Sequence, residues 1–157
     1  MAHMHYKGTG KVHSFRGRLE DNKKKEISIE GAVGAIAWRI TKFEIMPNLT
    51  GSVDAELVAK IYRENPGAVS AIVDFEDSEL LGAAYFKINQ TDARYGWGPS
   101  VIFDNALFVR NIFVTGIDTN ASNVTNYYIE LEEVKVSAAG MAQLAVAAAR
   151  RTTEGGA

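Results

Sequence analysis

The sequence predicts an all-β chain: an antiparallel β-sandwich of about eight strands, jelly-roll-like or immunoglobulin-like, with a short C-terminal helix. Three observations predict it. Apolar and polar side chains alternate in short runs along most of the chain. Gly, Pro, Asn and Asp interrupt those runs at spacings that suit turns. No helical segments alternate with the strands, as a parallel sheet would require. The expected organisation is a basic N-terminal arm at 1–22, a sandwich at 23–137, and an alanine-rich helix with a flexible tail at 138–157.

Taken in order, Lys24–Glu30 alternates with Ile27 and Ile29 inward, a short strand, and the small residues of GAVGAIA turn into the next. In IAWRITKFEIM, Ile36, Trp38 and Ile40 share one parity, whereas Phe43 and Ile45 take the other. Pro47 and NLTG end that strand. SVDAELVAKIYRE fits a helix through Leu57, Val58, Ile61 and Tyr62, or a strand through Val53, Ala55, Leu57, Ala59 and Ile61. The strand is preferred, because its neighbours are strands and Pro66–Gly67 makes a hairpin-like break.

VSAIVDF is expected to be a strand, with Val69, Ala71, Val73 and Phe75 in step. Ser78 is placed to cap one helical turn before a strand at Ala84–Ile88. QTDARYGWGPS reads as a loop, and SVIF and ALFVRNIFVTGI as two further strands rich in β-branched and aromatic residues. After the polar loop DTNASNVTN, the last strand carries a second parity slip: Tyr127, Ile129 and Leu131 on one side, Val134 and Val136 on the other. Such a slip means a bulge, or a strand long enough to serve two surfaces in turn, one of them a candidate subunit contact. Ser137 is the expected N-cap of the alanine-rich helix, whose stripe of Met141, Leu144, Ala145 and Ala148 is too small to stand alone and needs a sheet or another subunit beneath it.

A chain of 157 residues with 46% apolar and 23% charged side chains suits one domain with its own core. It has no cysteine, which excludes disulfides, thiolate metal sites and thiol nucleophiles. No run approaches the roughly 20 apolar residues of a membrane span, so no membrane partner is expected. MAHMHYKGTG lacks the apolar centre of a secretory signal, and Met4 is an alternative natural start. The net charge of −2 is uneven: residues 1–25 hold seven basic groups against two acidic ones. This basic stretch, with Lys23, Lys24 and Lys25 at its end, is suited to a neighbouring subunit, or to non-specific phosphate contact on nucleic acid.

Chemistry finds little purchase in these residues. The three histidines stand at 3, 5 and 13, so a hydrolytic triad or a zinc site lacks partners at usable spacing. Asp74, Glu76, Asp77 and Glu79 form one carboxylate group, and Glu130, Glu132 and Glu133 another. Glycosidase pairs and calcium loops use such groups, but here they read best as turn residues and solvated strand faces. GTG and GAVG lack the context of phosphate loops. The N-x-Ser/Thr triplets at Asn48, Asn89, Asn120 and Asn123 read as turn chemistry. No cofactor, metal or catalytic residue is expected. Tyr95 and Trp97, in a glycine-flanked loop, are candidate contacts for a sugar or a protein.

VIFDNALFVRNIFVTGID followed by NYYIELEEVKVS, over residues 101–136, resembles small virion structural proteins of tailed bacteriophages. There an F-D-N turn leads to a strand ending in V-T, and N-Y-Y-[IL]-E-L-E opens the last strand. DFEDSELLGAAYF is similar more loosely. The resemblance implies a particle component without enzymatic role, assembled in many copies and contacting other virion proteins. Its expected location is the virion, after assembly in the host cytoplasm. Lys23, Lys24, Lys25, Met141, Leu144, Tyr95 and Trp97 are the expected contact residues. The alternative is a carbohydrate-binding or receptor-recognising sandwich that uses Tyr95 and Trp97.

Overall fold

The computed structural model describes residues 8–29, 36–51, 53–88 and 99–154. Among these, eight strands and one helix follow in order: β1 (Gly8–Leu19), β2 (Lys23–Ile27), β3 (Ile36–Pro47), β4 (Ala55–Tyr62), β5 (Leu80–Ile88), β6 (Ser100–Phe103), β7 (Ile112–Asp118), β8 (Thr125–Lys135) and α1 (Ala138–Glu154). Every strand pairing is antiparallel. One sheet has the order β1-β8-β3 and the other β2-β7-β4-β5-β6. The side chains between the sheets, Ile40, Phe43, Leu57, Ile61, Ile112 and Ile129 among them, form the main core.

This order decides between the two expected topologies. An immunoglobulin-like sandwich keeps its first two strands side by side, whereas β1 and β2 lie in different sheets. A jelly roll folds one long antiparallel ribbon, so strands pair first with last and second with next-to-last. The pairs β1–β8, β2–β7 and β4–β5 are those of such a ribbon. The expected partner of β3 is displaced, since β6 pairs with β5. In its place Phe108 bridges Trp38 with two backbone hydrogen bonds of 2.8 and 2.9 Å. The sandwich is jelly-roll-like with its sixth strand moved to the far edge of the opposite sheet.

The two parity slips have different physical origins. In β3, Ile40 faces Leu131 and Lys42 faces Glu130, so Thr41 is an extra residue. Its hydroxyl donates to the Glu130 carbonyl at 3.3 Å. The bulge returns Phe43 and Ile45 to the core side occupied by Trp38 and Ile40. In β8 the register against β3 runs unbroken from Leu131 to Lys135. Val134 and Val136 instead enter a second apolar cluster with Ala37, Leu107, Val109, Met141 and Leu144. The strand therefore serves the core along one stretch and the outer cluster along the next.

That outer cluster is where α1 docks. The Ser137 hydroxyl accepts from the Gly140 amide at 3.1 Å, which makes Ser137 the N-cap, as expected. Gly140 is buried and Met141 and Leu144 are half-buried, while Ala145 is exposed, so the covered stripe is rotated from the expected one. The surface beneath the helix belongs to its own chain.

Two further expectations are corrected. Residues 8–19 are a twelve-residue strand rather than part of an arm, paired with β8 along most of its length. Its inward positions hide this in the sequence. Gly17 lies opposite Tyr127, whose ring fills the missing side chain's place: a Cβ at Gly17 would stand 2.7 Å from the phenol oxygen. At the corner into β2, Leu19 is buried over Gly116, where a Cβ would meet it at 3.1 Å, and Asn22 adopts a positive φ of 61°.

The second correction is Val69–Phe75, which is loop, not strand. Local side chains take backbone groups in this segment and in the turns that follow it before a ladder can. Ser70 Oγ accepts from the Ile72 amide, Asp74 Oδ1 from the Glu76 amide and Asp77 Oδ1 from the Glu79 amide, each at 2.9 Å. The expected helical turn capped by Ser78 is thus replaced by turns that Asp74 and Asp77 start. β4 is a strand as preferred, with Ala55, Leu57, Ala59 and Ile61 in the core. No helix among the described residues is long and apolar enough to cross a membrane.

Candidate interaction surfaces

Beyond the end that α1 covers, the three-stranded sheet turns its outer face to solvent, and its register builds that face in rows. Arg16, Tyr128 and Glu44 lie side by side; so do Arg18, Asn126 and Met46, and Ser14, Glu130 and Lys42. The Tyr128 hydroxyl donates to Glu130 Oε1 at 2.7 Å. That bond to a carboxylate pushes the phenol's pKa up, with burial a smaller cause. Lys42 Nζ stands 5.7 Å from the centre of the Tyr128 ring and 3.9 Å from Glu44. A groove of about 640 Å³ opens here, lined by Arg16, Arg18, Glu44, Met46, Asn126 and Tyr128 among others. Met46 is 60% exposed. Neither Arg16 nor Arg18 has a carboxylate partner among the described residues. The face offers apolar contact, a tyrosine ring and two unspent guanidinium forks suited to carboxylates.

On the opposite side of the molecule, residues 63–79 cross the outer face of the five-stranded sheet. Two lysines from one cross-strand row hold this loop. Lys24 Nζ donates to the Pro66 carbonyl and Lys60 Nζ to the Ile72 carbonyl, both at 2.6 Å. Lys60 is 1% exposed, and its ammonium also lies 5.4 Å from the centre of the Tyr62 ring. Burial lowers the Lys60 pKa, and the negative charge of Asp77 partly opposes that. The consequence is an apolar tip held out into water. Ile72 is 75% and Phe75 67% exposed, and Val73 is exposed as well. Phe75 and Ile102 flank a hollow of about 340 Å³ against the β5–β6 edge. Asp74, Glu76 and Asp77, all exposed, flank Phe75 along the chain.

A buried carboxylate, Asp118, also holds a loop. Burial alone would raise the pKa of Asp118, yet hydrogen bonds to the carboxylate hold it below its ordinary value. Its oxygens accept from the amides of Asn123, Glu56 and Asn120 at 3.0, 3.1 and 3.0 Å, and from Asn123 Nδ2 at 2.7 Å. Asn123 therefore does the turn work expected of it with its side chain, while Asn120 contributes its backbone amide.

Of the expected contact residues, Met141 and Leu144 cover Val134 and Val136 of their own chain. Lys24 is committed to Pro66, and Lys25 donates to the Arg18 carbonyl at 3.2 Å; Lys23 is exposed. Tyr95 and Trp97 lie outside the described residues. The second carboxylate group is more tightly bound than a solvated strand face. Glu132 accepts from Arg39 Nε at 2.9 Å, Glu133 from His13 at 3.0 Å, and Glu130 from Tyr128. Sequence reasoning missed Arg16, Arg18, Met46 and Tyr128 as a surface. The signal was there in the outward parity of β3 and β8, but it needed β1 to complete it.

No protein-family model matches the chain, and no curated protein sequence matches it.

Proposed function

We propose that the chain is a structural component of a tailed-bacteriophage particle, capsid-associated or a tail accessory, that self-associates and binds other virion proteins. The observation that carries this reading is the exposed cluster of Ile72, Val73, Phe75 and Ile102. An apolar patch rimmed by charge is the usual mark of a protein contact. A patch mounted on a loop that two lysines and three short side-chain turns hold in place loses little entropy on docking. The resemblance of residues 101–136 to virion proteins supplies the setting. Jelly-roll sandwiches also serve in viral capsids and lectins, which supports the reading by analogy of fold alone. Lys60 and Asp118, the buried charged side chains among the described residues, are both committed to loop geometry.

Co-expression with the capsid and tail proteins of a tailed bacteriophage, followed by gradient sedimentation, tests this. The expected result is co-migration with particles or their sub-assemblies. A chain that stays at the top of every gradient contradicts it.

A further inference from the structure

The tip on one side of the sandwich and the groove on the other complement each other. The tip presents Phe75, 67% exposed, with the exposed acidic residues Asp74 and Glu76 on either side of it in the chain. The groove presents Tyr128 and the exposed Met46 beside Arg16 and Arg18, whose guanidiniums have no carboxylate partner among the described residues. We propose that the Asp74–Phe75–Glu76 tip of one copy docks in the Arg16/Arg18/Met46/Tyr128 groove of a second copy of this chain. Within one chain the two cannot meet. The groove lies on the outer face of the three-stranded sheet, and the tip lies over the outer face of the five-stranded sheet, held there by Lys60. With the two sheets stacked about 10 Å apart, the whole core separates the two surfaces.

A contact between opposite faces is heterologous. Each contact leaves one copy with a free groove and the other with a free tip, so the arrangement closes into a ring or continues as a filament. Phe75 supplies the buried aromatic anchor, and the paired charges fix its register. The inference deepens the self-association proposed above and rests on it.

The test is a concentration series by sedimentation velocity, on wild type and three variants, two of them charge reversals. Arg16→Glu/Arg18→Glu reverses the groove. Asp74→Asn/Glu76→Arg reverses the tip while leaving an oxygen at position 74 to accept from the residue 76 amide. Phe75→Ser is the third variant, at a side chain too exposed for the core to need. Each variant alone should self-associate about 30-fold more weakly or worse, the loss expected of an interface hot spot. An equimolar mixture of the two charge variants should reassemble, because each reversed surface meets its complement on the other chain. Wild-type association that all three variants retain overturns this contact and leaves self-association standing. A mixture that stays monomeric overturns it too. A wild type that is monomeric throughout removes both readings.

Discussion

The ammonium of Lys60 donates to the carbonyl of Ile72 at 2.6 Å, so a side chain rooted in the middle of a sheet holds the backbone of the loop that presents Ile72, Val73 and Phe75 to solvent. A buried charge spent on a single loop carbonyl is costly, which makes the loop's position the feature it secures.

Lys60→Met should therefore separate loop order from global stability. An apolar side chain of similar length removes a desolvated charge, so unfolding free energy should change by no more than about 1–2 kcal/mol. Amide exchange across residues 64–79 should accelerate, as read by hydrogen-exchange mass spectrometry. The pH dependence has a definite sign. The folded pKa of Lys60 is lowered, so at alkaline pH the unfolded chain holds this proton when the folded chain has lost it. The group's burial cost is fully present below the folded pKa and fades as pH rises towards the unfolded value of about 10.4. The stability gap between wild type and Lys60→Met should shift in favour of wild type over that window.

Asp118 makes the opposite prediction in acid. Its folded pKa is depressed, so its contribution is present above the unfolded value of about 3.9 and is lost as pH falls through the folded one. Asp118→Ala leaves the amides it serves without an acceptor and should cost about 2–4 kcal/mol at neutral pH. Urea titrations at several pH values should show a flatter acid limb for the variant than for wild type.

Gly17 and Tyr127 form a matched pair. Gly17→Ala places a methyl group 2.9 Å from Tyr127 Cζ and should cost about 1–3 kcal/mol by overpacking. In a Tyr127→Leu background, where the ring is gone, the same substitution should cost less. Equal costs in both backgrounds, measured by thermal unfolding, would remove this account of the glycine.

At the C-terminus, Ser137→Ala should destabilise α1 by about 1 kcal/mol, the usual loss of an N-cap. Deleting residues 138–157 uncovers Val134 and Val136, and should raise binding of an apolar dye while the main core stays folded.

Much of this architecture is legible in the sequence, for local reasons. The β3 bulge is visible because Thr41 is polar between two apolar parities. The β8 slip is visible because Val134 and Val136 have no other reason to leave the parity of Leu131. What stayed hidden is non-local. β1 has an inward glycine, whose volume Tyr127 supplies, and an inward histidine, which stacks edge-on 5.1 Å from Trp38. Val69–Phe75 alternates like a strand, yet Ser70 and the distant Lys60 claim the backbone of Ile72, and Asp74 and Asp77 turn the chain just beyond. The groove went unread for the same reason as β1. Arg16 and Arg18 register as charge in a basic segment until the strand places them beside Tyr128 and Met46.

The most direct measurement is the mass of the purified chain in solution by sedimentation equilibrium as its concentration is raised. Copies that shelter one another's exposed side chains give an average mass that climbs above the 17.1 kDa of a single chain. A mass that holds at the single-chain value over the whole range would mean that Phe75 and Ile102 need no cover, and the account would fail.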